Sequence, residues 1–205
     1  MALIDVIEVK SGEYIRRIEL HHGDLTNLPP QDAVDLLILS AFQGECLPTP
    51  HSLIGSLDAK GLSVYDLSQD KAIDLRQIFS CWLSHPIQSD NPDLRFDRIL
   101  CFEPPEHSYA PNRVGDIFRA LAPFMESEPN IRTAAMPILA TGAQGYSINA
   151  MLPPIIKTAI HWMTIGMPLE TLKIFTYTDA EAKEAKRAFA KLKLQTQYKS
   201  IALAK

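Results

Sequence analysis

The sequence predicts an α/β fold in three layers: a mixed, mostly parallel central sheet with helices on both faces and an antiparallel N-terminal edge. Three observations carry this. Short apolar runs alternate with longer segments of helical character, which is the pattern of βαβ units. The run Val34-Asp35-Leu36-Leu37-Ile38-Leu39-Ser40-Ala41 is almost continuously apolar, as a strand buried on both faces should be. The opening residues instead read as two strands joined at Ser11-Gly12-Glu13, a hairpin that adds antiparallel strands at one edge.

The remaining elements follow in order. Gly23 and the Pro29-Pro30 pair mark a loop before the buried strand. After it, Thr49 is placed to cap a helix, with Pro50 at its first position, Leu53, Ile54 and Leu57 on one face, and Gly61 at its end. Residues 63–97 are less regular. Asp66, Asp70 and Asp74 at spacings of four read as a solvated helix face with Arg76 as an ion-pair or ligand partner, and 78–84 reads as a strand. A short strand at 98–102 precedes a loop. A helix from Val114 follows, with Ile117, Leu121 and Phe124 on one face and Pro123 set to kink or shorten it. A strand over 133–138, an apolar helix from about Ser147 with Pro153-Pro154 in its first turns, a buried strand at 171–177 and a helix capped by Asp179 complete the chain. Residues 195–205 are compatible with an added strand or a frayed tail.

Composition bounds the function. The chain has 205 residues, 46% hydrophobic and 21% charged, which suits one domain over 1–205 with a sizeable core. A net charge of -4 argues against a broad nucleic-acid surface. No apolar run is long enough for a membrane span, and Asp5 and Glu8 sit where a signal peptide would be cationic and then apolar, so a cytoplasmic location is expected. The three cysteines, Cys46, Cys81 and Cys101, lack metal-ligand spacing and read as buried thiols, and the adjacent His21-His22 would point to opposite faces of a strand. No metal and no cofactor is expected.

In a sheet of this kind ligands bind at the C-terminal ends of the strands. Four segments lie there. Thr141-Gly142-Ala143-Gln144-Gly145-Tyr146 leads into a helix and offers backbone N–H groups unobstructed by large side chains, suited to an anion; taken alone it reads first as a tight strand–helix turn. Asp24, in Gly23-Asp24-Leu25-Thr26, can accept a hydrogen bond from an exocyclic amine, or can simply close an Asx turn before Asn27. Tyr177 offers an aromatic face to a purine, or is a half-buried core residue. The fourth segment is Ser40-Ala41-Phe42-Gln43-Gly44-Glu45.

Together, in chain order, 23–41, 134–146 and 172–189 resemble the macro domain family, with its Gly-Asp-Ile/Leu-Thr motif, Gly-rich loop and final aromatic-ended strand. The resemblance covers about residues 15–192 and is poor over 42–115. It implies a three-layer α/β/α fold that binds ADP-ribose and related NAD-derived nucleotides. By position it implies Asp24 for the adenine amine, the Leu25 backbone and Tyr177 for the adenine ring, and Thr141, Gly142, Ala143, Gln144, Gly145 and Tyr146 around the diphosphate and proximal ribose.

The departures bear on activity. Family members that hydrolyse ADP-ribose linkages carry Asn-Ala-Ala-Asn followed by a Gly-rich loop; this chain has Ser40-Ala41-Phe42-Gln43 and then "GECLPTP". Ser40, Ala41 and Gln43 are thereby implied at the distal ribose, with bulk from Phe42 and with Glu45 and His51 as candidate acid and base. As a loop carboxylate and a helix-face histidine, both also have plain structural readings. No catalytic residue is assigned, and the expected role is a sensor or reader of an ADP-ribose-like molecule carrying something extra at its distal end. Such altered members resemble those of bacterial antiviral defence, which implies a TIR-domain enzyme as partner and a chain that is one part of a longer protein. An ADP-ribosyl hydrolase and an interaction module with a degenerate pocket are the alternatives.

Overall fold

The computed structural model describes residues 1–127 and 131–203. Eight strands form one sheet in the order β1-β2-β8-β7-β3-β6-β5-β4. β1 (Ala2–Ser11) and β2 (Tyr14–His22) make the expected antiparallel hairpin. β3 (Val34–Ser40), β6 (Phe96–Phe102), β7 (Thr133–Pro137) and β8 (Thr171–Thr176) run parallel to β2 and to one another, so their C-terminal ends line one rim of the sheet. The opposite edge is antiparallel as well: β5 (Cys81–Ser84) pairs with β6, and β4 (Lys71–Asp74) with β5.

Side-chain alternation splits the core in two. Ile18, Leu20, Leu36, Ile38, Leu172 and Ile174 face one side, under α5 (Gly115–Ser127), α6 (Ile148–Thr164) and α7 (Asp179–Leu203). Leu37, Leu39, Ile99, Cys101 and Phe175 face the other, under the short helices α1 (Leu53–Asp58) and α2 (Val64–Gln69). Ile117 and Leu121 of α5 are fully buried, Phe124 nearly so, and the helix runs past Pro123 to Ser127. Among the described residues no helix is long and apolar enough to cross a membrane.

Several local expectations shift. Ser52, not Thr49, caps α1: its hydroxyl accepts from Gly55 N at 2.9 Å, because His51 (φ 63°) keeps the chain out of the helical region beyond Pro50. Gly55 is required there, since a Cβ would lie 2.2 Å from the Thr49 carbonyl oxygen. The aspartates at 66, 70 and 74 do not share a helix face. Asp70 (φ -127°, ψ 85°) ends α2, and 71–74 pair at the sheet edge. Residues 76–79 then form a short helix, α3 (Arg76–Phe79), closed by Ser80 in the left-handed region, which shortens the strand expected over 78–84. A further short helix, α4 (Ala110–Arg113), precedes α5. Pro153 and Pro154 fall in the second turn of α6, where the carbonyls of Asn149 and Ala150 that lose a donor are near solvent. Thr178, rather than Asp179, caps α7: its hydroxyl accepts from Glu181 N, while the Glu181 carboxylate accepts from Thr178 N and Tyr177 N. This is a capping box. Residues 195–203 continue α7, neither an added strand nor a frayed tail, and 204–205 lie outside the described residues.

Candidate functional site

The rim formed by the ends of β2, β8, β7, β3 and β6 gathers the sequence-predicted residues. At one end, Gly23 N donates to Thr176 O at 3.0 Å, which sets the Asp24 turn beside Tyr177. Asp24 Oδ1 accepts from Thr26 N and Thr26 Oγ1, both at 2.8 Å. The Asx turn therefore exists, and it uses one carboxylate oxygen only: among the described residues Oδ2 and the Leu25 N–H make no hydrogen bond. The Leu25 side chain is buried in the core, leaving its backbone for the rim. Tyr177 is 71% exposed, not half-buried, so its ring is free to stack.

In the middle lies the loop after β7. Ala140 takes φ 62° and Gly145 φ 73°, folding the loop tightly. Gly145 N donates to Gly142 O at 2.9 Å and Tyr146 N to Ala140 O at 3.1 Å, while Thr141 Oγ1 donates to Ile138 O at 2.7 Å. The N–H groups of Thr141, Gly142, Ala143 and Gln144 have no acceptor among the described residues. Ser147 then caps α6 through Ala150 N, so these free donors sit just before the positive end of a 17-residue helix. Tyr146 reaches along the rim toward the segment after β6. Its hydroxyl accepts from Ala110 N at 3.2 Å and its ring meets Tyr109 edge-on, tying this loop to the one after β6.

At the other end, Ser40 is half-buried and its Oγ accepts from Ala140 N at 3.0 Å, which leaves its O–H to donate. Ala41 is buried and receives a hydrogen bond on its carbonyl from Gln144 Nε2 at 2.7 Å. The other amide atom, Gln144 Oε1, is buried without a partner among the described residues. Phe42 to Glu45 form a tight turn with Phe42 45% exposed, and Gln43, Glu45 and His51 are exposed to solvent. His51 precedes the helix rather than lying on its face.

One residue that the sequence reading left in a loop organises this end. Glu103, directly after β6, is 2% exposed. Its carboxylate accepts from Trp82 Nε1 at 2.5 Å, Gly44 N at 2.8 Å and Cys46 Sγ at 3.5 Å, with Arg76 Nη1 at 3.6 Å. Arg76 also pairs with Asp74 at 2.6 Å, a bond that holds the Asp74 carboxyl below its ordinary range and raises the guanidinium. A carboxylate at a strand end before two prolines, Glu103-Pro104-Pro105, was the available signal. Despite their sequence spacing, Cys46 and Cys101 come together with Glu103, ligand atoms within 4.8 Å of one another. Both carboxylate oxygens are engaged by N–H donors, and burial pushes the Cys101 thiol well up, so the three pack together as a buried cluster held by hydrogen bonds.

No protein-family model matches the sequence, and no curated protein matches it. Solved structures do match by shape. An Oceanobacillus iheyensis macrodomain with ADP superposes with a TM-score of 0.67 at 13% identity, covering 94% of this chain and 98% of that one. A mutant of that macrodomain with ADPR gives 0.67 at 13% identity over 92% and 98%. A Trypanosoma brucei macrodomain in complex with ADP-ribose gives 0.62 at 15% identity over 84% and 68%. The chain has the macrodomain fold.

Proposed function

We propose that this protein binds ADP-ribose or a related NAD-derived nucleotide along the rim, and that it recognises the molecule rather than hydrolysing it. The observation that carries the reading is the set of four consecutive unengaged N–H groups, Thr141 to Gln144, ahead of α6. Such an array suits a diphosphate without needing a lysine. Asp24 Oδ2, the Leu25 N–H and the exposed Tyr177 ring stand at the adenine end, and solved proteins of this shape carry ADP and ADP-ribose. Gln144 Oε1 is a buried acceptor in want of a donor, which a ribose hydroxyl or a water would supply. At the distal end Ser40 Oγ already accepts from Ala140 N and Gln43 lies in solvent, an arrangement less suited to gripping a water than a pair of side-chain amides. That favours a reader, and the exposed Phe42 offers contact to a group beyond the ribose. A role in antiviral defence beside a TIR-domain enzyme fits this reading.

Calorimetry with ADP-ribose tests it. Asp24→Ala should weaken binding by about 1–3 kcal/mol, the cost of losing a charged hydrogen-bond partner. Asp24→Asn keeps the acceptor in the Asx turn and separates loss of charge from loss of the turn. Unchanged affinity in both variants would remove Asp24 from the site. Release of free ADP-ribose from an ADP-ribosylated protein at catalytic rates would replace the reader with a hydrolase.

A further inference from the structure

At the opposite end of the sheet, where β2, β7 and β8 begin, a cleft of about 670 Å³ is lined by Arg16, Arg17, Arg132, Glu170, Tyr14 and Ile15. Arg16 is only 9% exposed, an unusual burial for a guanidinium, and its Nη1 donates to Leu169 O at 3.0 Å. Its Nε is buried with no partner among the described residues. Arg132 Nη1 reaches the preceding carbonyl, Pro168 O, at 3.4 Å, while its backbone N is fixed by Asp35 Oδ2 at 2.8 Å. Two guanidiniums are thus anchored to successive carbonyls of one loop. Among the described residues neither has a carboxylate within ion-pair distance. Arg17 is less available, lying opposite Glu8 across the hairpin and near Glu19 along its own strand. Glu170 is exposed at the margin, its backbone bonded to Arg132 O and Arg17 N.

A buried cation with an unused donor suits an anion. Planar guanidinium forks match the oxygens of phosphate in two-point contacts, and here they are held in place before any ligand arrives. Beside them Tyr14 and Ile15 are 73% and 60% exposed, giving an apolar rim to an otherwise polar cleft. We propose that this cleft is a second ligand site, which takes a small phosphate monoester with its phosphate between Arg16 and Arg132 and its organic part against Tyr14 and Ile15.

The test is titration of the whole chain, followed by NMR of the arginine Nε–H groups, with phenyl phosphate, inorganic phosphate and a short RNA oligonucleotide as probes. Phenyl phosphate should shift the Arg16 and Arg132 signals saturably, and inorganic phosphate more weakly. Arg132→Gln, which spares the buried Arg16, should weaken phenyl phosphate about tenfold, the usual scale for one charge-assisted contact. Asp24→Ala should leave the titration unchanged, so the result is independent of the nucleotide reading. No saturable shift with either phosphate, or an undiminished shift in Arg132→Gln, would overturn the site. Response to the oligonucleotide alone would replace a small ligand with a polymer backbone.

Discussion

Replacing Glu103 by Gln should damage both the fold and one end of the rim, by an amount the geometry sets. The carboxylate accepts from Trp82 Nε1 at 2.5 Å and Gly44 N at 2.8 Å, one on each oxygen, in a position 2% exposed. A carboxamide is nearly isosteric but presents an acceptor at only one end. Its NH₂ must face either the indole or the Gly44 amide, so one hydrogen bond is lost and one buried donor is left unpaired. A bond to a charged group contributes about 1.5–3 kcal/mol, and the orphaned donor adds to the loss, giving about 3 kcal/mol in all. For a domain of this size that lowers Tm by roughly 6–12 °C. The Arg76 and Cys46 contacts, at 3.6 and 3.5 Å, are longer and add less. Thermal unfolding gives the first readout. ADP-ribose calorimetry gives the second, since the freed Phe42–Glu45 turn should loosen the distal end and leave the adenine end intact. A Tm within about 2 °C of the parent would mean that water replaces the lost bond and that the carboxylate is not the anchor argued above.

Other substitutions test neighbouring claims. Gly145→Ala forces a side chain into φ 73° and should cost about 1–2 kcal/mol, with weaker ADP-ribose binding as the loop shifts; retained affinity would separate the loop from the ligand. Glu181→Ala removes the carboxylate that accepts from Thr178 N and Tyr177 N, lowering stability in urea by about 1 kcal/mol and loosening the backbone at the adenine end of the rim. The hydrogen bond with His21 at 2.8 Å holds the Glu19 carboxyl below its ordinary range. Its contribution is therefore present above the unfolded carboxylate pKa and lost as pH falls through the lower folded value. Glu19→Gln should cost about 1–2 kcal/mol near neutrality. The gap from the parent should close in acid, and a pH-independent gap would point to packing instead.

The parallel centre of the sheet and three of the four rim segments were legible in the sequence because each is a local pattern. The β3 run is apolar on both faces, glycines mark the loop after β7, and an Asx-capable residue follows β2. What was not legible depends on contacts between distant residues. Ser40 looks like a rim side chain in sequence, and its Oγ also braces an amide 100 residues away. The 71–74 segment carries a helix-like acidic spacing and becomes a strand because β5 offers it an edge. Thr49 and Asp179 are good caps by type, yet Ser52 and Thr178 hold the geometry, since capping is decided by the φ of the preceding residues and by which acid reaches back. Glu103 sits between two unremarkable signals, a strand end and a proline pair, and its four partners come from three separate segments.

The hydrogen bond from Gln144 Nε2 to Ala41 O has a wider consequence. Ala41 adjoins the turn whose Gly44 N is held by Glu103, and Glu103 faces Arg76, which grips Asp74 at the end of the outermost strand. The Gly-rich loop is therefore braced, link by link, to the far margin of the sheet four strands away, at roughly 4.8 Å per strand. A ligand that stiffens the loop pulls on a strut that ends at a solvent-facing edge, where a neighbouring molecule could feel whether the rim is full or empty.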